Sequence, residues 1–430
     1  MDSIFLLFFA VFGCGLGLVT GLWPGSHSLT PIAAIWSIQP LIAQQTTPEQ
    51  LASASLGLLI GWTAGSVVPS TLLFAPGDAH PGWVLPGAKL LLRGRALDAI
   101  LWQNIGMLGA LAALLALAPL FDGLLRPLRS IVQPHMPWML LAVLTFMLLG
   151  EWPRAEMRHA SRWRRLGSAW GYIGVSQLAF LLSGALGIVL ARHSPLPPDV
   201  AYQGLMPAFS GLFTVPGLIQ ICMVGKCAPR QSEHACAPPA HLIIRGCGTG
   251  LAAGLFAGFL PVISGGVGSL LAGHATAQRD DRVFLVAHGA SRMTYTAFGA
   301  VLLYLPGVAL TRGGFSALIA ARWSPSGWEA FWTALGSLAL CASLALGAQW
   351  WVARVWARNV QRLPQRALSV AGIAVAVGMC AALTGLPGLA VLAVATCIGM
   401  LPVLFGTRRL NLLGVVLLPA LLHMTGITVW

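Results

Sequence analysis

Charge is what this sequence has least of. Asp, Glu, Lys and Arg make up 9% of its 430 residues, against about 25% in a soluble domain. That excludes an ordinary water-soluble enzyme. Carboxylates are the scarcest part, with 12 Asp and Glu in all. Asp98 opens an apolar run, Asp78 lies in a Pro- and Gly-rich loop, and Asp280-Asp281 stand between two runs. A proton/cation exchanger places an Asp or Glu inside its bundle, so the lack favours an anionic substrate held by dipoles and hydroxyls. No HExxH, GxSxG, P-loop or pair of carboxylates at catalytic spacing occurs, and no enzyme is expected. The eight Cys lack zinc-ribbon spacing. Cys222, Cys227 and Cys236 lie near His234 and His241 but read as small helix residues and loop thiols, so no metal or organic cofactor is expected. No cleavable signal peptide is expected, because residues 3–22 run directly into more apolar sequence.

What is present is apolar: 57% hydrophobic residues and a mean hydropathy of +0.79. The 50 Gly and 28 Pro sit inside the apolar runs, the pattern of an all-α polytopic membrane protein with broken helices. Uncharged stretches cover 3–48, 50–77, 99–121, 130–150, 166–191, 200–225, 246–278, 293–311, 330–353, 367–407 and 410–430. A crossing takes about 20 apolar residues, so 3–48 and 367–407 each hold more than one element. The expectation is 10–12 transmembrane helices, some of them re-entrant. The formal charge of +13 gathers between these runs. Arg154, Arg158, Arg162, Arg164 and Arg165 form one set, and Arg354, Arg358, Arg362 and Arg366 another, beside Trp350, Trp351 and Trp356. Such clusters anchor cytoplasmic loops at lipid headgroups and are not a nucleic-acid footprint. The loops around Lys226-Arg230 and Arg408-Arg409 fit the same side.

Glycine carries the most informative pattern. Gly13, Gly17 and Gly21 recur every fourth residue, with Pro24 three residues on; Gly250, Gly254 and Gly258 repeat the spacing, with Pro261 at the same offset. Four-residue glycine spacing makes a flat helix face for close backbone packing. Each proline opens a polar break, Trp23-Pro24-Gly25-Ser26-His27-Ser28-Leu29-Thr30 and Leu260-Pro261-Val262-Ile263-Ser264-Gly265-Gly266. Downstream, Leu85-Pro86-Gly87 precedes Arg93-Gly94 and Leu305-Pro306-Gly307 precedes Arg312-Gly313. The chain therefore divides into a first repeat at 1–150 with its break at 23–30, a basic loop and connecting spans at 151–241, a second repeat at 242–353 with its break at 260–269, and a basic loop with C-terminal spans at 354–430. Counting spans puts Arg93 and Arg312 on opposite sides, which makes the repeats inverted. Paired interrupted segments in corresponding halves point to a transporter binding site.

The breaks offer freed backbone groups together with the hydroxyls of Ser26, Ser28, Thr30, Ser264 and Ser269, supported by Ser70 and Thr71. Helix N-termini suit a carboxylate or phosphate, and freed carbonyls suit Na⁺ as a coupling ion. Arg93, Arg292 and Arg312 are candidate anion contacts with forked donors. His27 is the only ionisable side chain within 3–48; it reads as a proton relay or as a neutral histidine satisfied by backbone.

The segment Gly17-Leu18-Val19-Thr20-Gly21-Leu22-Trp23-Pro24-Gly25-Ser26-His27 resembles the "GxxxGxxPG" signature of the tripartite tricarboxylate transporter permease family, the large membrane subunit. The His after the Pro-Gly pair is similar to the shorter, archaeal-type branch, with Leu29 where that branch has Asn. Pro69-Ser70-Thr71 through Pro76-Gly77-Asp78, Leu85-Pro86-Gly87 through Arg93-Gly94-Arg95, Phe284 through Ala290, and Arg408-Arg409-Leu410-Asn411-Leu412-Leu413-Gly414 with Leu417-Leu418-Pro419 extend the resemblance over nearly the whole chain. Val262 departs from it, standing where a second Pro-Gly pair has Gly.

The resemblance implies a secondary active transporter of a tricarboxylate-like organic anion in the cytoplasmic (inner) membrane, driven by Na⁺ or H⁺. It also implies a small membrane subunit and a periplasmic solute-binding protein as partners. Pro261-Val262-Ile263-Ser264-Gly265-Gly266 is also similar to the "PGxSGG" motif of polyprenyl-phosphate translocases, which leaves a lipid-phosphate substrate as the alternative.

Overall fold

The structure, a computed structural model, describes residues 3–73, 84–150, 161–196, 204–224, 228–276, 280–308 and 310–427. Among these residues the regular elements are all helical. In chain order they are α1 (Ser3–Gly21), α2 (Leu29–Ser37), α3 (Gln39–Ile42), α4 (Pro48–Gly65), α5 (Val67–Leu72), α6 (Val84–Leu92), α7 (Ala96–Leu117), α8 (Phe121–Val132) and α9 (Met136–Leu149). There follow α10 (Arg162–Arg192), α11 (Leu205–Phe209), α12 (Val215–Val224), α13 (Ala240–Phe259), α14 (Gly265–Ala275) and α15 (Asp281–Tyr304). The last are α16 (Gly313–Ala320), α17 (Gly327–Asn359), α18 (Gln365–Phe405) and α19 (Gly414–Met424).

Among the described residues, eight helical stretches are long and apolar enough to cross a membrane. Two of them, Ala96–Leu149 with 54 residues and Gln365–Phe405 with 41, exceed twice the length of one crossing. The second is broken at Gly385, whose φ of 64° and ψ of −161° leave the helical region two residues before Pro387. The protein is an all-α, multi-pass integral membrane protein. It divides into two compact units: Met1–Leu128 with Ile221–Ala374, and Arg129–Gln220 with Val375–Trp430.

The first unit is built on glycine faces. A Cβ on Gly13 would lie 1.9 Å from the Ala54 carbonyl oxygen, and one on Gly17 2.1 Å from that of Leu58. The partner helix answers in kind: a Cβ on Gly57 would meet the Ala10 oxygen at 1.7 Å and one on Gly61 the Cys14 oxygen at 2.1 Å. Contacts advance together along both helices, so α1 and α4 run parallel. A parallel pair needs a return, and α2 and α3 supply it. The pair α13 and α15 follows the same plan. Gly250 packs on the Ala287 oxygen at 2.3 Å and Gly258 on Phe298 at 2.8 Å, with α14 as the return, its Gly268 against the Ala253 oxygen at 2.4 Å.

Each pair takes a third helix from the other end of the unit's sequence. α17 runs beside α1, where Ser3 Oγ donates to Glu329 Oε1 at 3.2 Å and Cys14 Sγ to the Cys341 carbonyl at 3.3 Å. α7 runs beside α15, where a Cβ on Gly106 would lie 2.0 Å from the Val286 oxygen and one on Gly289 2.1 Å from that of Gln103. The two sets are antiparallel: the end of α4 meets the middle of α15, and Glu49 at its start is within electrostatic reach of Tyr304. Asn104 Nδ2 of α7 donates to Gln349 Oε1 of α17 at 2.6 Å.

One end of this unit is tied by polar contacts. Ser232 N donates to the Gly94 carbonyl at 2.7 Å, and Arg358 Nη2 pairs with Glu233 at 2.9 Å. Buried Asp98 takes Arg95 at 2.5 Å and the Cys236 N–H at 2.8 Å. The Arg358 cluster and the segment after Lys226 thus share an end. Arg154 and Arg158 lie outside the described residues, as does the Pro76-Gly77-Asp78 motif.

The second unit uses the same packing rule. A Cβ on Gly187 would lie 1.9 Å from the Val415 oxygen and one on Gly414 2.3 Å from that of Phe180, which locks α10 to α19.

Candidate functional site

Tip 1 begins where α1 stops. Pro24 follows the helix and Gly25 turns the chain with a φ of 78°, a left-handed value that glycine adopts without strain. Ser26 Oγ donates to the Thr20 carbonyl at 2.6 Å and accepts from Trp62 Nε1 at 2.9 Å, so the tip is pinned to α4. His27 Nδ1 accepts the Leu29 N–H at 3.1 Å, and its ring lies 6.3 Å from that of Trp62. One imidazole nitrogen is therefore backbone-satisfied, which places the ring proton of a neutral His27 on Nε2. Ser28 is buried, and Thr30 N donates to the His27 carbonyl at 3.1 Å in the first turn of α2.

Tip 2 repeats the turn with a different residue. Pro261 ends the run from α13, and Val262 has a φ of 65°, the only positive value of a non-glycine residue among those described. A β-branched side chain in this region is strained, so the departure from Pro-Gly seen in the sequence is a backbone feature. Ser264 caps α14, its Oγ accepting from Val267 N at 3.4 Å. Gly265, Gly266 and Ser269 are buried in the first turns of α14. Ser291 Oγ of α15 donates to the Gly265 carbonyl at 2.9 Å.

The three candidate arginines separate by position. Arg93 is exposed at the tied end of the first unit, on the turn after α6. Arg312 sits at the base of tip 2, where its Nε donates to the Phe259 carbonyl at 3.1 Å, complementing the C-terminal end of α13. Arg292 is buried, 6% exposed. It donates from Nη2 to Ser66 Oγ and lies over the Trp62 ring, its Cζ 5.5 Å from the centroid. Ser291 and Arg292, neighbours on α15, thus reach both tips: one binds tip 2 directly, the other stacks on the indole that holds tip 1.

Ser70 and Thr71 lie in α5, one turn beyond Ser66. Ser70 Oγ donates to the Val67 carbonyl at 3.0 Å, and the buried Thr71 Oγ1 has no hydrogen-bond partner among the described residues. Trp62, Ser66 and Ser291 were not singled out by sequence; Trp62 and Ser66 sit inside an apolar run where an indole or serine is ordinary packing, and Ser291 falls just outside the uncharged stretch that starts at 293. Among the described residues no three His, Cys, Asp or Glu gather as a metal site would require.

A relative in Methanocaldococcus jannaschii, an uncharacterized protein, is 25% identical over 307 residues, covering 70% of each chain. No solved structure matches significantly. The sequence profile of the tripartite tricarboxylate transporter TctA family matches residues 7–414, which takes in both tips and the first unit's helices from Leu7 of α1 onward. The chain belongs to the tripartite tricarboxylate transporter TctA family.

Proposed function

We propose that this permease is a secondary active transporter that carries a tricarboxylate-like organic anion across the cytoplasmic membrane, coupled to Na⁺ or H⁺, with tips 1 and 2 forming the substrate and ion site. The observation that carries the reading is that consecutive residues of α15 serve both tips: Ser291 bonds tip 2, and Arg292 stacks on Trp62, the residue that pins tip 1. Two interrupted segments supported from one helix, one directly and one through Trp62, supply what a carried anion needs. The N-termini of α2 and α14 offer partial positive charge, and Ser26, Ser28, Ser264 and Ser269 offer hydroxyls. Freed tip carbonyls suit the coupling ion.

The same plan in α1–α4 and α13–α15, run in opposite directions, supports a reading of the first unit as two inverted repeats. Rocking one repeat against the other would then expose the tips alternately. Family membership favours a small membrane subunit and a periplasmic solute-binding protein as partners.

Uptake of labelled citrate into proteoliposomes, across imposed Na⁺ and pH gradients, tests the proposal. Gradient-driven accumulation is expected. Binding of polyprenyl phosphate without uptake of any organic acid would instead favour the lipid-phosphate alternative. If His27 relays protons, His27→Ala flattens the pH profile of uptake; an unchanged profile leaves it as the backbone-satisfied residue its Leu29 contact describes.

A further inference from the structure

We propose that Arg292 is the cation that receives a substrate carboxylate, and that Ser66 and the Trp62 ring hold its guanidinium between the tips until the anion arrives. The inference rests on the carrier reading above and adds to it the residue that receives the anion. An arginine keeps its charge under all ordinary conditions, and a buried charge inside a membrane protein is costly enough to mark function. Arg292 is 6% exposed, yet two of its contacts are neutral groups, a serine hydroxyl and an indole face. Both are partners that an anion outcompetes. A carboxylate offers two oxygens in the spacing of the guanidinium fork, and charge-assisted pairs of this kind are about twice as strong as neutral hydrogen bonds.

Position argues for Arg292 over the other two candidates. Arg93 is exposed at the tied end of the unit, and the Nε of Arg312 is committed to the carbonyl of Phe259. Arg292 alone of the three touches the residue that pins tip 1, since Trp62 Nε1 donates to Ser26 Oγ at 2.9 Å. Its neighbour Ser291 holds tip 2 at 2.9 Å. A carboxylate that draws the guanidinium away from Trp62 therefore changes the support of tip 1 and pulls on the turn of α15 that carries tip 2. Substrate binding and tip movement are coupled through two adjacent residues.

Citrate is the probe, with the purified full-length chain in proteoliposomes. Arg292→Lys keeps the charge and loses the fork. It is expected to raise the half-saturating citrate concentration at least about tenfold while the maximal rate stays within about threefold. Arg93→Gln is expected to leave both within about twofold. Tryptophan emission gives a second readout: citrate changes it in the wild type, and Trp62→Phe removes that change. An Arg292→Lys half-saturation equal to wild type, or a citrate-induced emission change that persists in Trp62→Phe, overturns the assignment while leaving the carrier reading intact. If the wild type neither takes up nor binds citrate or other di- and tricarboxylates, the carrier reading itself fails. Should Arg292→Lys not fold, the Trp62→Phe comparison decides.

Discussion

Val262 occupies a backbone conformation that costs a β-branched residue about 1–2 kcal/mol, whereas Gly25 makes the corresponding turn of tip 1 at little cost. Val262→Gly trades that strain for the extra chain entropy of glycine, and Gly25→Val does the reverse at a φ of 78°. Thermal unfolding in detergent should place Val262→Gly at or slightly above the wild type and Gly25→Val clearly below it. Equal losses in both variants would mean that Val262 is held by its packing. Asp280 supplies a pH dependence. Its carboxylate caps α15, and the Arg282 side chain, with the Arg282 N–H, holds its pKa below the ordinary value. A depressed pKa contributes stability that is present above the unfolded value of about 4 and is lost as pH falls through the lower folded value. The protection factor of amides in the first turn of α15, exchange corrected for its intrinsic pH dependence, should therefore hold from pH 7 to about 5 and fall only at more acidic pH. In Asp280→Ala, which removes the cap, it should already be low at neutral pH.

Helices in this protein approach until backbone meets backbone, which makes single glycines decisive. Gly17→Ala puts a methyl 2.1 Å from the Leu58 oxygen, so α1 and α4 must part, whereas Gly15 has open space around its Cβ position. Overpacking of this kind costs about 1–3 kcal/mol, while Ala at an unobstructed helical site gains up to about 1 kcal/mol over Gly. Melting should fall for Gly17→Ala and hold or rise for Gly15→Ala, in the same helix and with the same chemical change. The faces on α1 and α13 were legible in sequence because prolines punctuate them. The answering face of Gly57, Gly61 and Gly65 has the same spacing, but its proline, Pro69, follows at four residues and so falls outside the repeated three-residue offset. α15 was legible only in part: the uncharged stretch starts at 293, while the helix starts at Asp281. Hydropathy scores preference for lipid, and the buried face of α15, with His288 and Arg292, meets protein instead. The Ser291–Arg292 junction could not be read from sequence, because it depends on which two tips fold against one helix.

At the scale of the molecule, direction matters most, and sequence leaves it open. Whether α1 and α4 run parallel depends on whether residues 22–47 cross the membrane or turn back, and composition is the same in both cases. The structure of the first unit resolves it: two parallel pairs, each joined by a helix from the opposite half, related head to tail. Asn104 and Gln349, on the two exchanged helices, meet through one amide hydrogen bond, so the halves are joined there as well as by Arg292 on Ser66 and Trp62. This arrangement fixes which ends share a face. Arg93 and Arg362 belong to the end tied by Gly94–Ser232 and Glu233–Arg358. Glu329 lies at the other end of α17, a helix of 33 residues that at about 1.5 Å per residue is long enough to cross a bilayer. Single cysteines at 93, 362 and 329, introduced where the exposed native Cys236 and Cys397 have been replaced by Ser, should react with an impermeant maleimide in two groups. Positions 93 and 362 should label from one side of the membrane, the cytoplasmic side if the basic clusters follow the positive-inside bias, and 329 from the other. Labelling of 93 and 362 from opposite sides would break the tied end apart, and with it the head-to-tail relation of the two halves on which the proposed alternating exposure of the tips depends.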